Sequence, residues 1–278
     1  MCEMENVQRY SVLMSVYAKE KPAFLKASLE SVFCQTAPTD DFVLVCDGPL
    51  GEELDCIVKQ TCEEHADVLK VIRLPRNVGL GNALNEGLKY CKHNLVARMD
   101  SDDVSVAERC EMQLRVFEEH PEISVVSGTV LEFQTSPEEI TGRREVPELH
   151  EEICAFSKKR NPFNHPAVMF RKAAVEAVGG YSEAYPLFED YYLWIRMLQN
   201  GAIGYNLKES VLYMRTPADL YMRRGGKVYC RNMLRFHKWL LKTKWSGKSD
   251  YLFGAVPHAL ICRLPNGIRK KIYEILHK

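Results

Sequence analysis

The chain has 278 residues, 46% of them hydrophobic, so it is long enough to bury a full core. It lacks the run of about 18 apolar residues that a membrane-spanning helix needs, and we expect no secretory signal in its first residues. The formal net charge is zero, but residues 222–278 hold 14 basic and 2 acidic side chains, which leaves 23 basic and 35 acidic ones in the preceding 221 residues.

The first 130 residues alternate between strand-like and helix-like patterns. Strands are predicted at 10–17, 42–46, 68–74, 94–99 and 123–126, and helices at 22–33, 52–64, 80–91 and 106–119. This order predicts an α/β fold with a largely parallel sheet and helices on both faces. Such sheets bind ligands at the carboxyl ends of their strands, so we expect the site in the loops that follow Val16, Cys46, Leu74 and Met99.

The second half is less regular. Helices are predicted at 145–156 and 187–200, strands at 166–170 and 212–215, and a helical region at 218–244 that Gly225 and Gly226 interrupt. Residues 264–278 show an amphipathic pattern with a basic face. We expect a basic, helical C-terminal extension that seeks phosphate groups or an anionic membrane surface, although an ordinary helix with a solvated basic face also fits this pattern.

Three carboxylates follow the fourth strand, at Asp100, Asp102 and Asp103. Like charges this close repel one another unless a cation holds them, and alternation lets Asp100 and Asp102 point to the same side. Hard carboxylate oxygens suit Mg²⁺ or Mn²⁺. The alternative is an acidic turn that caps the next helix.

Two further motifs carry chemistry. Glu189 and Asp190 open a helix among aromatic residues, where a partly desolvated carboxylate can accept a proton, although the helix dipole alone also favours acids there. The segment 76–87 places glycines at a helix entrance, where backbone can approach an anion; close helix–sheet packing is the alternative interpretation.

The order of these motifs resembles the family 2 glycosyltransferases of bacterial surface-polysaccharide biosynthesis, over roughly residues 9–216. The resemblance implies a Rossmann-like GT-A fold, a divalent metal, and inverting transfer of a sugar from a UDP-sugar donor to an acceptor hydroxyl. The acceptor it implies is a lipid-linked glycan. A later Gln-x-x-Arg-Trp motif of processive members is absent, so one sugar is expected per encounter.

The resemblance also implies roles for individual residues. Asp190 would be the catalytic base, and Asp102, with Asp100, would bind Mn²⁺ or Mg²⁺. The expected nucleotide-sugar contacts are Ser15, Val16, Tyr17, Asp47, Arg76, Asn77, Gly79, Asp100, Ser101, His165 and Glu189. The first strand departs from the family's usual ending, because it reads Ser15-Val16-Tyr17-Ala18-Lys19. One interpretation of the extension places Arg223 and Arg224 on the diphosphate.

We therefore expect a catalytic domain at 1–216 and a basic extension at 217–278, in a cytoplasmic protein that is peripheral on the inner face of the membrane. Two alternatives stay open. Asp100-Ser-Asp102-Asp-Val104 loosely matches a phosphatase of the haloacid dehalogenase type, and a non-catalytic nucleotide-sugar-binding scaffold would share the fold. No nucleic-acid-binding module is found, so no nucleic-acid partner is expected.

Overall fold

The computed structural model describes residues 8–216, 225–264 and 267. The strands are β1 (Tyr10–Val16), β2 (Phe42–Cys46), β3 (Leu69–Arg73), β4 (Leu95–Asp100), β5 (Val104–Ser105), β6 (Ile123–Phe133), β7 (Ile140–Arg144), β8 (Met169–Arg171) and β9 (Ile203–Arg215). The helices are α1 (Pro22–Phe33), α2 (Glu52–Glu64), α3 (Leu80–Leu88), α4 (Arg109–Glu119), α5 (His150–Phe156), α6 (Lys172–Glu176), α7 (Glu189–Gln199), α8 (Gly226–Lys242), α9 (Lys248–Asp250) and α10 (Val256–Arg263). A 3₁₀ turn at His165–Ala167 precedes β8, and a π-helical turn at Tyr251–Ala255 joins α9 to α10.

The nine strands form one sheet in the order β3-β2-β1-β4-β8-β6-β9-β5, with β7 beside β6. The strands β3, β2, β1 and β4 are parallel, which confirms the predicted Rossmann-like half. Strand β8 enters between β4 and β6 and is antiparallel to both, whereas β6 and β9 are parallel. The second half of the sheet is therefore mixed.

Helices cover both faces of the sheet, as predicted. Successive side chains on a strand point to opposite faces, and the two cores follow this alternation. Leu13 and Val45 join a core formed with α3, α5, α7 and α8. Met14 and Leu44 join the other core, formed with α1, α2 and α4.

Several predicted boundaries in the middle of the chain are wrong. The helix predicted at 145–156 begins only at His150, because the stretch around Pro147 runs beside β9 and the Glu148 carbonyl accepts a hydrogen bond from the Asn206 amide. The helix predicted from Val106 begins at Arg109. The strand predicted from Pro166 begins at Met169, after the 3₁₀ turn.

The described part of the C-terminal extension packs on the sheet. Met233, Phe236 and Leu240 of α8 are fully buried in the same core as Trp194 of α7. The helix α8 begins at Gly226, within the pair of glycines at which a break was predicted. The predictions for Arg223, for Arg224 and for 265–278 fall largely outside the described residues, and the domain boundary after residue 216 stays a prediction. Within the described ranges, every helix is too short or too polar to cross a membrane.

Candidate active site

The carboxyl ends of β1, β2 and β4 meet at one edge of the sheet. Ser15 is paired with Asp100 across β1 and β4, and Val16 is paired with Cys46, which precedes Asp47. Strands β2 and β3 lie on one side of β1 and β4 lies on the other, so the direction of strand addition reverses at β1. This reversal opens the crevice in which sheets of this type bind ligands.

An acidic cluster lies at this edge, at the end of β4. Asp100, Asp102 and Asp103 each have a carboxylate oxygen within 4.8 Å of the others. Asp100 and Asp102 are partly exposed, whereas Asp103 is buried. The Arg215 amide donates to Asp103 Oδ1 over 2.7 Å, and Asp103 Oδ2 has no hydrogen-bond partner among the described residues.

Burial and the charges of neighbouring acids raise the pKa values of Asp102 and Asp103. Burial raises the pKa of Asp102 to about 7, and the charges of Asp100 and Glu20 act in the same direction. The pKa of Asp103 is raised well above its ordinary value by burial and then by its two acidic neighbours. A divalent cation would relieve this repulsion, and Mg²⁺ and Mn²⁺ prefer such hard oxygen ligands. The residues present therefore fit a divalent metal.

Arg98 places a buried positive charge beneath the cluster. Its side chain is fully buried and its Nη2 donates to Asp100 Oδ1. Its Nε and Nη1 find no hydrogen-bond partner in the described part of the chain. Arg98 was predicted only as a residue of the fourth strand, although a lone arginine in an apolar strand just before three acids indicates that it contacts them.

Ser101 faces the loop that follows β1. Its hydroxyl donates to Glu20 Oε2 over 2.7 Å, so Glu20 ties this loop to the acidic turn. Ser101 was predicted to contact the nucleotide, but the structure gives its hydroxyl an internal partner. Glu20 was missed, and nothing in its sequence context distinguished it from a solvated acid.

Asp47 organises the entrance to α3. Its Oδ1 accepts from the Val78 amide over 2.7 Å and its Oδ2 from the Gly79 amide over 3.1 Å. The Asn77 side chain donates to the Asp47 carbonyl. Gly79 has a φ of +85°, a backbone conformation that favours glycine. The structure thus brings together three predicted residues, with the Asp47 carboxylate bound to backbone amides.

The remaining predicted residues of this edge differ in exposure. Tyr17 and Arg76 are exposed and Ser15 lies at the mouth of the crevice, 8% exposed. The Val16 side chain is fully buried in the core beneath α1, so the predicted nucleoside contact of Val16 stays a prediction for its backbone. The alternation of the strand turns that side chain inward, and its carbonyl accepts from the Asp47 amide.

A second carboxylate site lies at the start of α7. Asn161 donates its side-chain amide to Asp190 Oδ2 over 2.7 Å, and the Tyr191 amide donates to Asp190 Oδ1 over 2.7 Å. Glu189 is the preceding residue, and its Cβ lies 4.0 Å from the position that a Cβ on Gly81 would take. The first turn of α7 therefore faces the first turn of α3. Asn161 was missed because it lies in a loop with no periodic pattern.

Tyr181 packs against the first turn of α3, where its Cβ lies 3.2 Å from the position that a Cβ on Gly81 would take. Its hydroxyl lies 2.9 Å from His165 Nε2. Burial raises the pKa of Tyr181, Arg98 opposes that shift, and the carboxylates of Asp190 and Asp100 add to it. Burial, together with Arg98, lowers the pKa of His165 well below its ordinary value, so its imidazole is neutral near pH 7. Tyr181 was not among the predicted site residues.

Comparisons with known proteins agree with this arrangement. Residues 11–178 match the family model described as glycosyl transferase family 2. The chain is 33% identical, over 97% of both chains, to an Escherichia coli UDP-Gal:alpha-D-GlcNAc-diphosphoundecaprenol beta-1,3-galactosyltransferase. It is 38% identical to the amylovoran biosynthesis glycosyltransferase AmsE of Erwinia amylovora, over 86% of this chain and 88% of that one.

The fold is also shared with solved structures. A mannosyltransferase from Pyrobaculum calidifontis, in complex with GDP-Man and Mn²⁺, superposes with a TM-score of 0.66. The match covers 96% of this chain and 80% of that one at 17% identity, which supports a common fold.

Proposed function

Because this chain belongs to glycosyl transferase family 2 and is a glycosyltransferase, we propose that it transfers a hexose from a UDP-sugar to a hydroxyl of a lipid-linked glycan. The transfer inverts the anomeric centre and adds one sugar per encounter. The product belongs to the assembly of a surface polysaccharide.

One observation carries the proposal. At the sheet edge that holds the acidic cluster, Asp47 accepts hydrogen bonds from two backbone amides at the entrance to α3. The first turn of α3 in turn meets the first turn of α7, where Glu189 Cβ lies 4.0 Å from the position that a Cβ on Gly81 would take. The acidic cluster and Asp190 therefore border one crevice, in which a metal-bound diphosphate and an acceptor hydroxyl would lie close together. Close placement of two reactants supplies much of the rate in a bimolecular transfer.

Asp190 is the proposed catalytic base. Its two oxygens accept hydrogen bonds from the Asn161 side chain and from the Tyr191 amide, which fixes the orientation of the carboxylate. Asp190 removes the proton of the acceptor hydroxyl as that oxygen bonds to the anomeric carbon. The bond from the anomeric carbon to the diphosphate breaks on the opposite face, so the configuration inverts.

Asp100 and Asp102 would hold Mn²⁺ or Mg²⁺, and Asp103 would support them from below. Such an ion, when bound, neutralises the charge of a departing nucleotide diphosphate. Arg98 of β4 fixes the Asp100 carboxylate, and Glu20 in the loop after β1 fixes Ser101, so the acidic cluster is held by its own strand and by one other loop. Ser15, Tyr17, Arg76 and Asn77 remain the proposed contacts of the nucleoside, and His165 and Glu189 those of the donor sugar.

The proposed donor and acceptor rest on the relative from Escherichia coli. Its name gives UDP-Gal as the donor and a sugar on a diphosphoundecaprenol as the acceptor, and it aligns with nearly the whole of this chain. We extend the nucleotide and the diphosphate-linked acceptor to this chain and leave the identity of the transferred hexose to experiment.

The lipid-linked acceptor places the protein at the cytoplasmic face of a membrane. Exposed apolar side chains cluster in the described part of the extension, where Leu252 is 56%, Phe253 81% and Leu260 63% exposed. Apolar side chains beside basic ones bind anionic lipid surfaces. Flotation with anionic vesicles at low salt, weakened by Phe253→Ser, is the expected result; no flotation of the wild-type protein would end this part of the proposal.

A transfer assay tests the function. The purified protein is given UDP-galactose, UDP-glucose, UDP-GlcNAc or UDP-GalNAc, with a synthetic sugar–diphosphate–lipid acceptor, and with Mn²⁺ or EDTA. We expect one UDP-sugar to give a singly extended product whose new linkage, determined by NMR, is opposite in configuration to the donor. A product of retained configuration, or a requirement for GDP-sugars, would contradict the proposal.

A further inference from the structure

A basic groove runs along α8 and is also lined by Tyr251 and Arg263. Its volume is about 640 Å³, within the range of about 300–1,000 Å³ that is typical of small-ligand sites. Five of the residues that line it are cationic: Lys227, Arg231, Arg235, Lys238 and Arg263. Leu234 and Tyr251 supply apolar surface between them.

The charges of the groove are not neutralised within the described chain. No carboxylate lines it, and none of its five cations makes an ion pair with another described residue. Four of the cations lie on one stripe of α8, where spacings of three, four and seven residues place side chains together. Like charges on one helix face destabilise the helix, and a bound anion would remove that cost.

The helix that carries the groove packs on the segment that leads into the candidate base. Tyr229, in the first turn of α8, packs on Phe188 with ring centroids 5.4 Å apart, and Phe188 directly precedes Glu189 and Asp190. Arg235 donates to the Ala184 carbonyl over 3.3 Å, in the loop that leads into α7. Arg235, which lines the groove, thus contacts the loop that leads to Asp190.

We propose that this groove binds the diphosphate of the lipid-linked acceptor, an inference that rests on the acceptor assigned above. The donor diphosphate belongs to the acidic cluster through its metal, so a second diphosphate needs cations of its own. Arg231 and Lys238 provide them, with further charge from Lys227 and Arg263. A diphosphate held here leaves the first sugar of the acceptor free to reach Asp190, while the lipid leaves along the apolar residues of the extension.

The chemistry recognised is a diphosphate ester, and anionic phospholipid head groups offer a related ligand. Two comparisons separate these sources. The first uses an acceptor with a short lipid that forms no membrane, and the second uses the same sugar on a neutral alkyl glycoside, which has no phosphate. A diphosphate site distinguishes these two acceptors without any vesicle present.

The test uses the double variant Arg231→Gln/Lys238→Gln in the full-length protein. We expect the KM for the diphosphate acceptor to rise at least about tenfold, because charge-assisted hydrogen bonds are lost. The KM for the UDP-sugar and the KM for the neutral glycoside should stay within about twofold of wild type. The matched control is Lys242→Gln/Lys248→Gln, which removes two exposed charges from the extension outside the groove.

Three outcomes, two kinetic and one from vesicle flotation, would overturn the inference. An equal rise in the KM for both acceptors would indicate a general fault of the acceptor site. A rise in the KM for the UDP-sugar would assign the groove to the donor. If the groove variant no longer floats with anionic vesicles but keeps its KM for the short diphosphate acceptor, the groove would be a phospholipid site.

A binding measurement separates this inference from the proposed function. Farnesyl diphosphate is titrated calorimetrically into the wild-type protein and the groove variant, in EDTA and without donor. Suppose that the wild-type protein binds farnesyl diphosphate and transfers no sugar, and that the groove variant does not bind it. The groove would then be supported as a diphosphate site and the proposed function would be rejected. If the groove variant transfers sugar with an unchanged KM for the diphosphate acceptor and binds farnesyl diphosphate as tightly as wild type, the proposed function would be supported and the groove would be rejected as the diphosphate site.

Discussion

The side-chain amide of Asn161 donates to Asp190 Oδ2 over 2.7 Å, and so joins the loop before the 3₁₀ turn to the first turn of α7. The other oxygen, Oδ1, is fixed by the Tyr191 amide. A carboxylate at a helix start can rotate when only its own helix holds it. Asn161 adds a partner from outside the helix, and this makes it a positioning residue for the proposed base.

Asn161→Ala should therefore lower kcat while leaving donor binding intact. Removing a hydrogen bond to a charged group costs about 1.5–3 kcal/mol, which corresponds to roughly 10- to 150-fold if the bond is needed in the transition state. Steady-state transfer and calorimetric UDP-sugar binding measure the two quantities separately. If UDP-sugar affinity and kcat fell together, with a lowered Tm, Asn161 would be structural only.

Asp190→Asn should abolish transfer more completely. General base catalysis contributes about 10²- to 10⁴-fold, and an amide cannot take the acceptor proton. Binding of the UDP-sugar with Mn²⁺ should be retained, because the acidic cluster belongs to a different loop. Single-turnover transfer and thermal-shift binding are the measurements. Transfer at close to the wild-type rate would remove Asp190 from its proposed role.

The first half of the fold follows closely from the sequence. Strands such as Phe42–Cys46 are short apolar runs. Pro22 marks the start of a helix, and Asp47-Gly48 marks the turn after a strand. Each of these signals is local, so the β-α-β order could be predicted. The parallel half of the sheet then locates the acidic cluster and Asp47 at one edge, because parallel strands end together.

The second half depends on contacts between distant segments. Strand β8 has only three residues, and no periodicity marks its antiparallel place between β4 and β6. Strand β9 pairs with β6 in a register that shifts at Gly128 and Thr129. Asn161 and Tyr181 reach the site by tertiary packing alone. Their roles therefore became visible only when their neighbours from α7 and β4 were in place.

The acidic cluster should make the stability of the metal-free protein depend on pH. The pKa of Asp102 rises from 3.8 to about 7 on folding, so the folded protein binds this proton more tightly than the unfolded one. The resulting stabilisation is fully present below about pH 4 and is lost as the pH rises through about 7. In EDTA, the Tm of the wild-type protein should therefore fall over this window relative to that of Asp102→Asn.

Adding Mn²⁺ should reverse that loss where the carboxylates are ionised. A ligand that binds only the folded protein raises the Tm, and protons compete with the ion at low pH. The Tm rise with Mn²⁺ should be larger at about pH 8 than at about pH 5, and Asp102→Asn should lose most of it. An equal rise in wild type and variant would place the ion elsewhere.

Gly87→Ala tests how closely α3 lies on the sheet. A Cβ at this position would come within 2.5 Å of Leu13 Cδ1 and 2.6 Å of Val45 Cγ2. Alanine raises helix propensity by up to about 1 kcal/mol over glycine, but overpacking a core costs about 1–3 kcal/mol. We expect net destabilisation in urea unfolding. Gly51→Ala is the control, because its Cβ would meet nothing within 4 Å, and equal effects would contradict close packing.

Arg215 links the end of β9 to the acidic cluster. We expect the planar shape and the donor geometry of its guanidinium to matter as much for metal binding as its positive charge. The guanidinium stacks on Phe24, 3.6 Å from the ring centroid, and on Phe133 at 4.4 Å, while Nε donates to the Asp102 carbonyl over 3.0 Å. Lysine keeps the charge but has neither the planar stacking surface nor the fixed donor geometry.

Arg215→Lys should therefore weaken Mn²⁺-assisted UDP binding about as much as Arg215→Gln, by roughly tenfold, since a lost charged hydrogen bond costs about 1.5–3 kcal/mol. Calorimetric titration of UDP with and without Mn²⁺ measures this. If Arg215→Lys bound UDP with Mn²⁺ as wild type does and Arg215→Gln did not, the positive charge alone would explain the role of Arg215 in metal binding. Because the Arg215 backbone amide still holds Asp103 in both variants, any loss reports the orientation of Asp102 rather than collapse of the turn.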